Sequence, residues 1–278
     1  MTRNEALHQL LEEAHRGDFH FSTSAKLAIK IRNTLENPDC HLDEAGRLIQ
    51  AEPLLASRVL ALANSAIYNP AGREITDVRT AVSRLGFKNI RLIAMGFVAR
   101  QMAASTPNPN IQKLASSLWE HTAHVAALSF YITAHVTQKS PDAALFAGLV
   151  HEIGGFYMLS RADELPALLS WSSGDPEEID LFSVTNTLSL AVLRNLQVPE
   201  GAIEPVEHYA EGFLISPPGS IADALILADH LAPVPSPLME KTSSDTSVID
   251  QAVEQGNLLA ILEEANEEVA ALTKALSA

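Results

Sequence analysis

Cysteine is close to absent. Cys40 is the one thiol in the chain, so no internal disulfide can form, a usage typical of reducing compartments. Basic residues are also scarce: 19 Lys and Arg stand against 34 Asp and Glu, for a formal charge of −15. A field of that sign repels phosphate backbones unless a local basic patch overcomes it, which sets nucleic acid aside as a partner. No basic stretch followed by an apolar one opens the sequence, so a secretory leader is not expected and a cytoplasmic location is. The longest uncharged apolar run, residues 121–138, carries His121, His124 and His135 among several threonines, too polar to enter a membrane. Alternating β-branched runs bounded by turn residues do not recur, and no internal repeat is present.

What remains is apolar content at helical spacing. The hydrophobic share of 47% over 278 residues is ample for a packed core and excludes disorder as the dominant state. Thr2 to Glu5 has capping-box form ahead of Ala6, Leu7, Leu10, Leu11 and Ala14, and Gly17 closes that helix. Ser24 is positioned to cap a second helix, Asp43 to open a third, and Pro53 to stand first in a fourth that ends near Asn64. Asn64-Ser65 reads as a helix terminus and turn. A fifth helix runs from Thr76 or Asp77 to Gly86, and a sixth from Lys88 to Ala104. Thr106-Pro107-Asn108-Pro109-Asn110 then divides the chain. Beyond it the spacing predicts a long helix from about Ile111 to Val136, one capped by Ser140, and others near 180–196, 199–210 and 220–231. A turn is expected at Ser216-Pro217-Pro218-Gly219. The expected organisation is all-α: an N-terminal helical array over residues 1–105, a helical core over 106–232, and a linker with a C-terminal amphipathic helix over 233–278. That last helix can pack back on the core or on a second copy of the chain.

The most informative residues are His151-Glu152, delivered by Ala143 to Val150 and followed by Ile153-Gly154. This stretch resembles the metal-binding doublet of the HD superfamily of phosphohydrolases, with the aspartate replaced by Glu152 and a customary lysine by Gly155. Upstream, Leu42 to Pro53, Leu54 to Ala66 and Ile75 to Gly86 resemble the HDOD domain, a group of HD-related output modules in bacterial signalling. The resemblance covers roughly Phe19 to His208 and extends weakly to Asp229. It implies an HD-like helical core. It also implies a module without catalysis, since HDOD domains are generally regarded as HD folds that have lost it. By the same resemblance His121 matches the early histidine ligand, His151 and Glu152 the doublet, and Asp229 the late aspartate. His208 stands where some HD phosphodiesterases carry a histidine pair, here beside Glu207.

Imidazole and carboxylate suit a first-row divalent metal or Mg²⁺, and adjacent residues on one helix can converge on an ion between them. Glutamate is longer than aspartate by one bond of roughly 1.5 Å, large against coordination tolerances of about 0.2 Å. Gly155 has no charge to offer a phosphate. Three readings of His121, His151, Glu152 and Asp229 follow: a buried hydrogen-bonded network, a bound non-catalytic metal, or a catalytic centre. The first makes the chain a signalling module with no cofactor, which acts through a protein or ligand and has signalling proteins as partners. The last makes it a metal-dependent phosphohydrolase or phosphodiesterase. A nucleotide-binding sensor is a further alternative, with Arg84, Lys88, Arg91 and Arg100 as the obvious cationic supply. His124 and His135 read as core or surface histidines.

Overall fold

Helical periodicity is realised along the chain in the computed structural model, which describes residues 1–21, 23–37, 39–104, 106–170, 180–212, 218–238, 249, 253–254 and 257–277. Among these there is no strand. The first five helices are α1 (Arg3–Arg16), α2 (Thr23–Glu36), α3 (Leu42–Gln50), α4 (Pro53–Ala63) and α5 (Val78–Ala104). They are followed by α6 (Pro109–Ile132), α7 (Pro141–Val150), α8 (Ile153–Arg161), α9 (Leu181–Asn195), α10 (Glu200–Glu211) and α11 (Ile221–Leu231). The last two are α12 (Leu258–Glu264) and α13 (Asn266–Ser277).

The local signals act as elementary chemistry requires. Thr2 and Glu5 close a reciprocal capping box on α1, and Gly17 takes a left-handed φ of 74° to end it. Pro53 opens α4, where its missing N–H costs nothing, and the Ser140 hydroxyl accepts from Ala143 N to start α7. Asn64 staples the loop that follows α4, its side chain bonding both the N–H and the carbonyl of Ile75 at 2.8 and 2.7 Å. α5 is two helices joined at Gly86, where φ is 77°. α6 stops at Ile132, four residues before the expected Val136, and relaxes into a π turn over Thr133–Thr137. The expected cap at Ser24, part of the 216–219 turn and most of the linker after Pro237 lie outside the described residues or side chains.

α6 lies at the centre and packs against α7, α8, α11 and α13, while α5 lies between α2, α3 and α4 on one side and α7 and α8 on the other. Two glycines permit the closest approaches. A Cβ at Gly148 would stand 2.4 Å from Ala126 Cα, and one at Gly154 would stand 2.2 Å from Thr185 O. Both contacts are with backbone that cannot swing away, so α7 seats on α6, and α8 on α9, only without a side chain there. Residues 141–161 match a membrane span in length and apolarity, but 89% of that window is buried inside the protein and it spans two helices. α13 lays Leu272, Ala275 and Leu276 on α4 and α6.

Candidate functional site

α6, α7 and α11 each bring one ligating side chain to a common point. His121 comes from the buried face of α6 and is 1% exposed; His151 ends α7 and is fully buried. Asp229 reaches in from α11 with its side chain 30% exposed, at the rim. The ligand atoms of these three residues lie within 4.8 Å of one another. The doublet does not share a helix, contrary to the expectation above. His151 is the C-cap of α7, the chain bends at Glu152 (φ −103°, ψ 22°), and α8 starts at Ile153. Ser189 on α9 fixes this bend. Its hydroxyl accepts from Gly154 N and donates to the His151 carbonyl, both at 2.9 Å.

Each histidine is oriented from behind. His121 Nδ1 donates to Val234 O and His151 Nδ1 to Gly148 O, both at 2.7 Å, which leaves the two Nε2 atoms facing the cluster. His121 Nε2 lies 3.0 Å from Asp229 Oδ1 and 3.6 Å from Glu152 Oε2. Glu152 is 2% exposed, and its Oε1 accepts a 2.6 Å hydrogen bond from Ser236. Its Oε2 stands 3.9 Å from His151 Nε2. Glu152 therefore borders the group of three, held from the side by Ser236.

The charges follow from this arrangement. Burial works against a proton on His121, but Asp229, Glu152 and the Val234 carbonyl outweigh it and raise its pKa to about 9. Burial and the neighbouring His121 charge hold His151 down to about 4. Burial pushes Glu152 up to about 7 against the pull of His121 and Ser236. Burial also opposes ionisation of Asp229, yet His121 and His151 keep it below the ordinary carboxylate range. One proton on His121 thus balances the charge of Asp229.

The donor set also fits a divalent ion. Among the described residues, His151 Nε2 and Glu152 Oε2 are buried with no hydrogen-bond partner, which is costly for buried polar atoms. Two imidazoles with fixed tautomers and a carboxylate are ordinary first-row metal ligands, and a bound cation would displace the His121 proton. His121, His151 and Asp229 would hold it, with Glu152 beside them.

Two contributors carry no sequence signature. Residues 234–238 lie across the site: Val234 holds His121, Ser236 holds Glu152, and Leu238, 2% exposed, packs at Gly155. A Cβ at Gly155 would stand 2.6 Å from Leu238 Cδ1, so the space beside Gly155 is filled by another part of the chain. Tyr209 is buried and stands edge-on to His151 at 5.4 Å between ring centres, whereas the neighbouring His208 is exposed. His124 is half-buried and His135 exposed, stacked on Tyr131; neither joins the cluster. The expected basic group is dispersed. Arg84 and Lys88 are exposed, Arg91 bonds the Leu35 carbonyl, and Arg100 lies over the Trp119 ring.

An all-helical core in which two histidines and an aspartate converge from separate helices, beside a carboxylate at a helix-breaking doublet, defines an HD-like module. The chain belongs to the HDOD domain family, whose model matches residues 22–209. A protein from Shewanella amazonensis, described as a candidate metal-dependent phosphohydrolase, shares the fold with a TM-score of 0.72 and 20% identity over 99% of both chains. An HDOD domain protein of unknown function from Geobacter sulfurreducens gives 0.59 and 19%, covering 98% of this chain and 97% of its own. A candidate signal transduction protein from Marinobacter aquaeolei gives 0.58 and 17%, covering 99% of this chain and 66% of its own. No curated protein matches the sequence significantly.

Proposed function

We propose that the chain is a non-catalytic regulatory module of HDOD type, acting through a protein or ligand contact, in which the histidine cluster serves as a conformational tie. The carrying observation is the segment 234–238. It orients His121 through a carbonyl, draws Glu152 aside through Ser236, and fills the space at Gly155 with Leu238. A phosphohydrolase needs the opposite: an open coordination position for water, a cation for the phosphate, and room for substrate. An ion held by His121, His151 and Asp229 would supply Lewis acidity, but in this arrangement it joins α6, the end of α7 and α11. Regulation by such a unit is a shift between helix arrangements, driven by whatever binds one of them better. The partner is a signalling protein that contacts the exposed helical surface.

The second reading, a metal-dependent phosphohydrolase, is favoured by the unpartnered Nε2 of His151 and the convergence of His121, His151 and Asp229. Hydrolysis of bis(4-nitrophenyl) phosphate separates the two. With Mn²⁺, Mg²⁺ or Zn²⁺ supplied, the wild type is expected to release no nitrophenol above a protein-free control. Metal-dependent release that disappears in His151→Ala establishes the enzyme reading.

A further inference from the structure

The two carboxylate oxygens of Glu152 are treated differently. Oε1 accepts a 2.6 Å hydrogen bond from the Ser236 hydroxyl, which itself accepts from Leu238 N at 3.3 Å. Oε2 is buried without a hydrogen-bond partner and faces the histidines, 3.6 Å from His121 Nε2 and 3.9 Å from His151 Nε2. While Ser236 keeps Oε1, Glu152 has one oxygen to offer a cation, where a free carboxylate has two.

That single oxygen borders the group formed by His121, His151 and Asp229. Both imidazoles are fixed from behind by backbone carbonyls, and Asp229 Oδ1 lies 3.0 Å from His121 Nε2. For bonds of about 2.0–2.1 Å, ligand atoms around a tetrahedral zinc lie about 3.3 Å apart. The separations of 3.0, 3.6 and 3.9 Å bracket that value. Water has little room beside them. His121, His151 and Glu152 are each at most 2% exposed, and Leu238 fills the side next to Gly155. An ion that insists on octahedral geometry, such as Mg²⁺, keeps several waters and prefers oxygen donors; two imidazoles with two single oxygens suit zinc.

We infer that the cluster is a closed four-ligand site for a divalent ion of the zinc type, with His121, His151, Asp229 and Oε2 of Glu152 as ligands. Ser236 is the positioning residue that limits Glu152 to that one oxygen. Four protein ligands are the count of a structural zinc site, whereas a hydrolytic one leaves a position open for water. The inference rests on the reading of the cluster as a conformational tie and gives that tie its chemistry. It also gives the segment 234–238 a role in the choice of ion, because Ser236 belongs to it.

The test titrates the untagged full chain, stripped with chelator, with Co²⁺, whose visible absorption is intense in a four-coordinate shell and weak in a six-coordinate one. Zn²⁺ affinity is read by competition. The wild type is expected to show intense bands, to give up Co²⁺ to Zn²⁺, and to keep it against millimolar Mg²⁺. Glu152→Gln and Ser236→Ala are each expected to weaken Zn²⁺ by about tenfold or more and to dim the bands. Ser236→Thr, which keeps the hydroxyl, is expected to retain them. If Ser236→Ala does not fold, Glu152→Gln carries the test. A weak six-coordinate spectrum overturns the closed site, as does unchanged Zn²⁺ affinity in Glu152→Gln. Unchanged bands and affinity in Ser236→Ala overturn the role of Ser236. Failure to bind either ion overturns the inference but not the regulatory reading, which nitrophenol release tests separately.

Discussion

Glu13 and Arg161 join the first helix of the chain to α8 through a 2.6 Å ion pair, and the Tyr157 hydroxyl accepts from the same guanidinium nitrogen at 3.2 Å. Burial disfavours the Glu13 anion, but hydrogen bonds from Gln9 and Arg161 outweigh it and hold its pKa below the ordinary value. A depressed carboxylate stabilises the fold above its unfolded pKa, and that stability is lost as pH falls through the folded value. Glu13→Gln is therefore expected to cost about 2–3 kcal/mol near pH 6, and progressively less as pH falls below the ordinary glutamate value of about 4.3. Urea midpoints of both proteins across that range check it; a pH-independent difference would contradict the pairing. This pair was not visible in the sequence, since 148 residues separate its members. His121, His151 and Asp229 were visible, because their neighbours carry the HD pattern. Tyr209 was not: which residue of Glu207-His208-Tyr209 faces inward depends on the rotation of α10, which only packing against α7 and α9 fixes. Val234 contributes a carbonyl, which every residue possesses.

Helices were legible wherever a cap, a proline or a glycine ends them, as at Thr2, Gly17, Pro53, Gly86 and Ser140. The bend between α7 and α8 was not, because no breaker precedes His151. It depends instead on a hydroxyl from α9, Ser189, which bonds both sides of the bend. The end of α6 was missed for a related reason: its π turn carries no proline or glycine. Gly148 matters at this scale because it sets the spacing of α6 and α7, and hence of His121 and His151. In Gly148→Ala the new Cβ would meet Ala126 Cα at 2.4 Å and N at 2.8 Å. Separating the two helices is expected to cost about 3 kcal/mol, measured by urea denaturation. Wild-type stability in this variant would contradict the close approach.

Across the whole molecule, α5 joins the two halves of the chain and α1 returns to pack on α9, so the cluster sits in a frame built by distant segments. That frame is shared with proteins of 17–20% identity, which indicates that the pattern of burial, more than particular side chains, specifies it. The central claim is that the cluster serves this frame. Catalytic groups typically lower stability in exchange for function, so replacing one leaves stability unchanged or raises it. A structural tie behaves oppositely, since His121 would lose the carboxylate that holds its buried proton and, with it, the ion pair between α6 and α11. The most direct measurement is the free energy of urea unfolding of Asp229→Asn against wild type, in chelator at neutral pH. The account predicts a loss of about 3 kcal/mol; stability equal to or above the wild type would contradict it.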